Sequence, residues 1–378
     1  MQPRTFPKIP GLAVSPLGLG AMRLPTLPGP PPRLDEEASV QLIRGAIDAG
    51  VNYLDTAWPY HGGESEPLVG RALAGGWRQR VQLATKSPVW DVKTEGDWER
   101  ILDLQLGRLA TDHVDFYLLH ALSGARWETV QRLGGLKALE RARADGRLRH
   151  LGFSFHGALD DFKTIVDGHD WDFCQIQLNY LDQGFQAGLE GLRHAAERRV
   201  GVIVMEPLRG GALAATPPAV QQILARAGRP WSPAEWALRW VWSQPGVVTV
   251  LSGMGTPAQV AENVAAAAAA APLTAAELAL VEEVRGWYQA RMAVPCTTCG
   301  YCQPCPHGVA IPDVFNAWNT ARMFENPRQA AWIYQRFLLD SGSGADQCLA
   351  CHECEADCPQ QIQIAARLAE AHAALTAS

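Results

Sequence analysis

Short runs rich in apolar, β-branched and aromatic residues recur along the first two-thirds of the chain. Each is followed by a stretch whose apolar residues return every three or four positions. The runs are LGLG (17–20), NYLD (52–55), VQLATK (81–86), VDFYLLH (114–120), RHLGFS (149–154), DFCQIQ (172–177), VGVIVME (200–206) and VVTVLSG (247–253). The helical-period stretches cover 35–49, 66–74, 97–109, 127–144, 187–198 and 233–242. Runs of this length bounded by turn residues read as strands, and the intervening period reads as amphipathic helix. Strand–helix alternation implies a parallel sheet. Eight such units fit a closed (β/α)8 TIM barrel better than an open sheet.

The rival is a doubly wound dinucleotide domain, whose first strand-to-helix turn should read GxGxxG. Here it reads Gly18-Leu19-Gly20-Ala21-Met22-Arg23, without the third glycine. Further on, 264–271 is mostly alanine, which extends the last barrel helix by propensity until Pro272 ends it. An amphipathic helix over about 274–292 follows, then Val294-Pro295 and a tail of different character. The expected division is therefore a barrel over 1–293 and a small domain over 294–378. Helical stretches at 312–325, 327–340 and 364–375 make that tail a helical ferredoxin-like module rather than a β-ribbon one.

Composition narrows the class. Of 378 residues, 47% are hydrophobic and 19% charged, so a packed core is available and extensive disorder is not expected. The net charge of −6 comes without a basic block, which argues against a nucleic-acid partner. The opening MQPRTFPKIPG has no apolar signal-peptide core, and no uninterrupted apolar run reaches the roughly 18 residues of a membrane span. A cytoplasmic protein with no membrane association is expected. Eight of the nine cysteines lie at or beyond Cys296 in closely spaced groups, which in a reducing compartment reads as metal ligation. Cys174 stands apart in an apolar strand and reads as packing.

Barrel enzymes carry their reactive groups at the carboxyl ends of strands. Asp55, Tyr60, Lys86 and His120 fall at or just after three successive ends. A tyrosine hydroxyl, with an ordinary pKa near ~10, is a weak acid unless a cation stabilises its anion. Lys86 is the candidate cation, Asp55 the carboxylate that keeps a buried lysine charged, and His120 a hydrogen-bonding relay. Such a set can protonate a carbonyl oxygen as hydride arrives, or remove a hydroxyl proton in the reverse direction. Taken singly, Asp55 reads equally well as a helix cap and His120 as a core histidine.

With the motifs DTAWPYHGGESE (55–66), LATK (83–86), DFYLLH (115–120), GFSFH (152–156), QIQLNY (175–180), MEPLRGG (205–211) and Glu262-Asn263, the chain resembles the aldo-keto reductases. Specifically, it is similar to the bacterial branch with a carboxyl-terminal iron–sulfur domain. The resemblance implies that Asp55, Tyr60, Lys86 and His120 form a catalytic tetrad with Tyr60 as general acid/base, and that NADP or NAD lies across the barrel mouth. It also implies that Ser154 and Gln175 hold the nicotinamide amide and that Pro207, Leu208, Arg209 and Gly210 follow the pyrophosphate. Ser252, Glu262 and Asn263 would then serve the adenosine end. Three departures stand out. Phe155 replaces a common asparagine, Met205 stands where an aromatic residue usually stacks on the nicotinamide, and Gly253, Met254 and Gln259 replace the Lys, Ser and Arg that often hold the 2′-phosphate. Arg209 is the obvious remaining cation for a phosphate. The resemblance further implies a small carbonyl compound or alcohol as substrate, with Trp58, His61, Trp90 and Tyr180 as candidate walls.

The group Cys348-x2-Cys351-x2-Cys354-x3-Cys358-Pro359 has bacterial ferredoxin spacing, in which the fourth cysteine serves the other cluster. The group Cys296, Cys299, Cys302, Cys305-Pro306 is one residue shorter in its last gap. Zinc also takes four cysteines, but paired runs of four, each ending in Cys-Pro, suit two [4Fe–4S] clusters. Ferredoxin logic gives Cys296, Cys299, Cys302 and Cys358 to one, and Cys348, Cys351, Cys354 and Cys305 to the other. Hydride moves two electrons while each cluster passes one, so the clusters serve relay to a redox protein, sensing or structure. The alternative to a turning-over reductase is an electron-transfer or coenzyme-sensing protein with little carbonyl turnover of its own.

Overall fold

The computed structural model describes residues 1–29, 33–296, 298, 300–358 and 360–377. Eight parallel strands close into a barrel: β1 (Leu17–Gly20), β2 (Tyr53–Asp55), β3 (Gln82–Ser87), β4 (Val114–Leu122), β5 (Leu148–Phe155), β6 (Phe173–Gln177), β7 (Gly201–Met205) and β8 (Val247–Ser252), with β8 beside β1. All eight anticipated strands form. Their near-continuous apolar runs follow from burial on both faces, inside against the barrel core and outside against helices.

The amino-terminal segment supplies a piece that periodicity did not reveal. Arg4–Thr5 pairs antiparallel with Ala13–Val14, and Phe6 packs on Phe116 with ring centroids 5.1 Å apart. Phe6, Tyr53, Phe116, Phe173 and Ile203 share one apolar cluster in the barrel. Two glycines make room for these rings. A Cβ on Gly201 would meet the Phe6 ring at 2.3 Å, and one on Gly152 would meet the Phe173 ring at 2.7 Å.

Two helical expectations need correction. The stretch at 127–144 is two helices, Gly124–Arg132 and Gly135–Ala144, parted at Gly134, whose φ of +62° lies in the left-handed region that glycine tolerates. The alanine run does not stay helical to Pro272. Its helix, Pro257–Ala268, stops sooner, because a residue preceding proline is driven out of helical geometry.

Packing groups the chain into two compact bodies, one of Met1–Ala214 with Trp231–Thr274 and the other of Ala215–Pro230 with Ala275–Ser378. Within the second, Arg226 and Arg229 of the first segment pair with Glu283 and Glu277 of helix Ala275–Gln289 at 2.6 and 2.8 Å. Helices Ile311–Met323, Pro327–Tyr334 and Ile364–Thr376 surround a core that includes Val294, Val309, Phe315, Trp318, Tyr334 and Leu368. Buried Asn319 holds the chain entering the cysteine region, accepting from Val294 N–H at 3.0 Å and donating to Val294 C=O at 2.8 Å. Among the described residues, no helix is long and apolar enough to cross a membrane.

Candidate active site and cysteine module

The strand register explains how residues far apart in sequence meet. Asp55 stands opposite Ala84, so Lys86 lies two residues beyond it on the same face of β3. Lys86 stands opposite Leu118, so His120 lies two residues further along β4. The same stagger places Ser154 opposite Gln175, and Gln177 opposite Met205. Carboxyl ends of six strands thus bring their side chains to one mouth.

There Lys86 is fully buried, with its Nζ donating to Asp55 Oδ1 at 2.5 Å, Thr56 C=O at 2.8 Å and Tyr60 OH at 3.3 Å. Burial alone would strip the lysine of its proton, but the charge of Asp55 and the hydrogen bonds to Asp55 and Tyr60 win, so its pKa is raised. Burial also raises the Tyr60 pKa against the opposing effect of Lys86, so the phenol stays protonated and can donate. His120 sits edge-on to Tyr60, ring centroids 6.2 Å apart, with its Nδ1 buried and lacking a partner among the described residues. Burial first, then the charges of Lys86, His156 and Arg126, push its pKa down to about 2, so the imidazole is neutral at working pH.

That depressed value predicts a pH effect. An unfolded histidine titrates near ~6.5, so its proton favours the unfolded chain. The stability conferred by keeping His120 neutral is therefore complete above ~6.5 and lost as pH falls towards the folded value. Urea unfolding should show stability dropping by up to about 1.4 kcal/mol per pH unit below ~6 from this residue. His120→Asn should flatten that slope by about one proton's worth; an unchanged slope would contradict the assignment.

The remaining coenzyme candidates are distributed as follows. Ser154 Oγ accepts from Ala121 N–H at 2.8 Å, leaving its own O–H to donate. Gln175 Nε2 approaches Met205 Sδ at 3.4 Å, while its Oε1 is a buried acceptor without a partner among the described residues. This orphan acceptor fits a carboxamide N–H, so the residues present suit a nicotinamide. Pro207, Leu208, Arg209 and Gly210 form the turn after β7, and Arg209 is engaged with Asp182 at 3.1 Å. Asn263 donates to Ser252 at 3.1 Å, Glu262 accepts from Ser232, and Gln259 accepts from Gly255 N–H at 2.8 Å. Of the candidate walls, Trp90 packs on His120 at 5.0 Å between centroids, whereas Trp58 lies under the Arg108 guanidinium at 3.8 Å. His61 takes a left-handed backbone conformation and Tyr180 is buried.

Sequence reading missed three groups. Arg23 reaches across the loops after β7 and β8. A Cβ on Gly253 would lie 3.1 Å from its Cδ, and one on Gly210 3.4 Å from its Nη2. Glycine at 253, in place of the common lysine, thus makes room for a cation from another strand. The signal was the arginine of Gly20-Ala21-Met22-Arg23, which can be assigned only once β8 is known to neighbour β1. Glu66, fully buried, accepts from Thr85, Gln105 and Arg108 at 2.6, 2.6 and 3.2 Å, and Gln105 also donates to Lys86 C=O at 3.0 Å. This network braces the strand end that carries Lys86. Arg126 lies over the Trp90 ring, 5.3 Å from its centre, and His156 is near enough to act on His120. A separate concavity beside Arg78, His113 and Arg149 lies at the opposite, amino end of the strands. Its buried Asp115 is fully paired, with Arg78 at 2.8 Å and Arg149 at 2.9 Å, and reads as a structural clamp.

In the second body, Cys296, Cys302, Cys305, Cys348, Cys354 and Cys358 pack against the apolar core, while Cys351 is exposed. Cys299, an expected ligand, lies outside the described residues. Cys296, Cys302 and Cys358 line one pocket with Phe315, Ile362 and Ile364. Burial, then the nearby charges of Cys302, Glu355 and Cys305, raise the Cys354 pKa to about 11. Among the described residues, no three Cys, His, Asp or Glu side chains converge at single-ion distance.

A closed parallel barrel with a buried Lys–Asp–Tyr set at its carboxyl mouth defines a (β/α)8 oxidoreductase scaffold. The aldo/keto reductase family model matches residues 16–285, and the chain belongs to that family. A 4Fe-4S dicluster domain matches residues 295–362. The chain is 27% identical over 305 residues to an NADH-specific methylglyoxal reductase of Escherichia coli, covering 68% of this chain and 90% of that one. It is 28% identical over 289 residues to L-galactose dehydrogenase of Arabidopsis thaliana, covering 68% and 85%. Among solved structures it is similar to an aldo-keto reductase of Bacillus halodurans in holo form, with a TM-score of 0.62, 27% identity and coverage of 75% and 96%.

Proposed function

We propose that the protein is an NAD(P)(H)-dependent reductase of small carbonyl compounds, reversible as an alcohol dehydrogenase, with two [4Fe–4S] clusters in its second body. The observation that carries this reading is Lys86 Nζ, buried and bonded at once to Asp55 and the Tyr60 hydroxyl. A nicotinamide coenzyme held by Ser154 and Gln175 would supply hydride. Tyr60 OH would give its proton to the carbonyl oxygen, and Lys86, kept charged by Asp55, would stabilise the phenolate left behind. Neutral His120 would orient the substrate oxygen by hydrogen bonding. The name of the methylglyoxal-reducing relative supports a small carbonyl substrate.

Arg23 takes the role expected of the missing cations and receives a coenzyme phosphate, while Arg209 is shared with Asp182. The pocket shared by Cys296, Cys302 and Cys358 supports ligand sets that cross between the two cysteine groups, with Cys305 joining Cys348, Cys351 and Cys354. The tail then relays electrons to a protein partner or reports redox state.

An anaerobic titration with NADH and with NADPH, following coenzyme oxidation and cluster absorbance together, tests this reading. Carbonyl-dependent oxidation of coenzyme is expected with methylglyoxal. Arg23→Leu should weaken coenzyme binding by roughly tenfold or more, the scale of one charge-assisted contact. Cluster bleaching by coenzyme alone would assign relay; no oxidation across a broad carbonyl panel would leave a coenzyme-sensing protein instead.

A further inference from the structure

Several partly buried arginines of the barrel have carboxylate partners, while Arg4 and Arg44 spend their donors on backbone carbonyls. Arg108 pairs with Glu66, Arg149 with Asp115, Arg209 with Asp182, and Arg239 with Glu235. At the mouth itself the charge of Lys86 is balanced by Asp55. Arg126, in the first turn of helix Gly124–Arg132, also lacks a carboxylate partner, but it lies beside Trp90 at the mouth. It is half-buried and donates from Nη1 to Ala121 C=O at 2.5 Å, and no carboxylate lies within ion-pair distance among the described residues. A guanidinium has five N–H donors, so most remain available.

Its position gives those donors a use. The Arg126 guanidinium carbon lies 5.3 Å from the Trp90 ring centre, and Trp90 packs on His120 with centroids 5.0 Å apart. One indole thus separates the cation from the imidazole beside Tyr60. The charge is felt there, since Arg126 helps keep both His120 and His156 neutral. The two histidines therefore bring no competing cation, and no acid cancels the arginine. The coenzyme candidates occupy the ends of β5 to β8 and the β1 turn, so Arg126, after β4 and beside the β3 loop, faces the other side of the mouth.

We propose that Arg126 is an anion-recognition residue of the substrate site, and that the preferred carbonyl substrates carry a carboxylate a short spacer away from the reacting carbon. The assignment of this side to substrate rests on the reductase reading above. A carboxylate would supply the missing ion pair in the forked geometry a guanidinium favours, while the Trp90 face would wall the apolar spacer. Neutral aldehydes of the same shape would leave the guanidinium unmatched.

The test separates binding from turnover. Calorimetry would compare 4-(hydroxymethyl)benzoate with its methyl ester on the wild-type protein and on Arg126→Gln and Arg126→Lys. The acid should bind the wild type roughly 10- to 100-fold tighter than the ester, as expected of a charge-assisted pair. That ratio should fall to near one in Arg126→Gln and be partly retained in Arg126→Lys. Equal binding of acid and ester by the wild type, or a preference that survives Arg126→Gln, overturns the proposal. Reduction of 4-carboxybenzaldehyde, measured in parallel, separates the two readings. Arginine-dependent binding without turnover sinks the reductase and leaves the anion site. Turnover without a binding preference does the reverse.

Discussion

Replacing Tyr60 with phenylalanine is expected to lower coenzyme-dependent carbonyl reduction by roughly 10²- to 10⁴-fold, the range that a positioned general acid contributes. The loss should fall on kcat, because the hydroxyl removed acts on the carbonyl oxygen as charge develops there. Coenzyme affinity should change little, since Tyr60 meets Lys86 and faces His120, whereas the candidate nicotinamide contacts lie on β5 and β6. The Lys86 bond is only one of three that hold the ammonium, so the fold should survive the change. Stopped-flow turnover beside a fluorescence titration of NADPH measures both quantities. A variant that reduces carbonyls at the wild-type rate would remove Tyr60 from the chemistry.

Lys86→Met should cost more in stability than any other change at the mouth. Lys86 and Asp55 are both almost wholly buried, and removing the cation strands the carboxylate. Breaking a buried pair in this way costs about 3–5 kcal/mol. Asp55 can escape part of that cost by taking up a proton, since burial already raises its pKa against the pull of Lys86. The sign follows from that direction. An acid whose folded pKa exceeds its unfolded one is fully accommodated below the unfolded value, and the stability is lost as pH rises through the folded value. Lys86→Met should therefore be least stable to urea at high pH. Adding Asp55→Asn should recover much of the stability and none of the activity. If the single variant unfolds like the wild type at every pH, the buried ion pair is not what holds this corner of the barrel.

Much of this was legible from the chain. The eight strands announced themselves because both faces of a parallel barrel strand are buried, which leaves apolar runs bounded by turns. Helix Pro233–Trp242 was equally plain, with proline in its first turn and an apolar stripe behind it. The helical break at Gly134 was missed, since the apolar period runs across it and only the left-handed backbone of that glycine interrupts the helix. Asp55, Tyr60, Lys86 and His120 were legible through their place at strand ends. Arg23 and Arg126 were not, because an isolated arginine after a strand looks the same whether it is paired, exposed or aimed into a mouth.

The chain alone thus determined the strands, their alternation with helices, the polar residues at the strand ends and the thiol spacing of the tail. Each is a local property, set by period, turn chemistry or short sequence distance. Tertiary structure decided which strand ends face each other, through the barrel stagger that carries Asp55, Lys86 and His120 to one mouth. It also decided charge balance. Whether a cation is neutralised depends on what packs beside it, and that left Lys86 paired with Asp55 and Arg126 without a carboxylate.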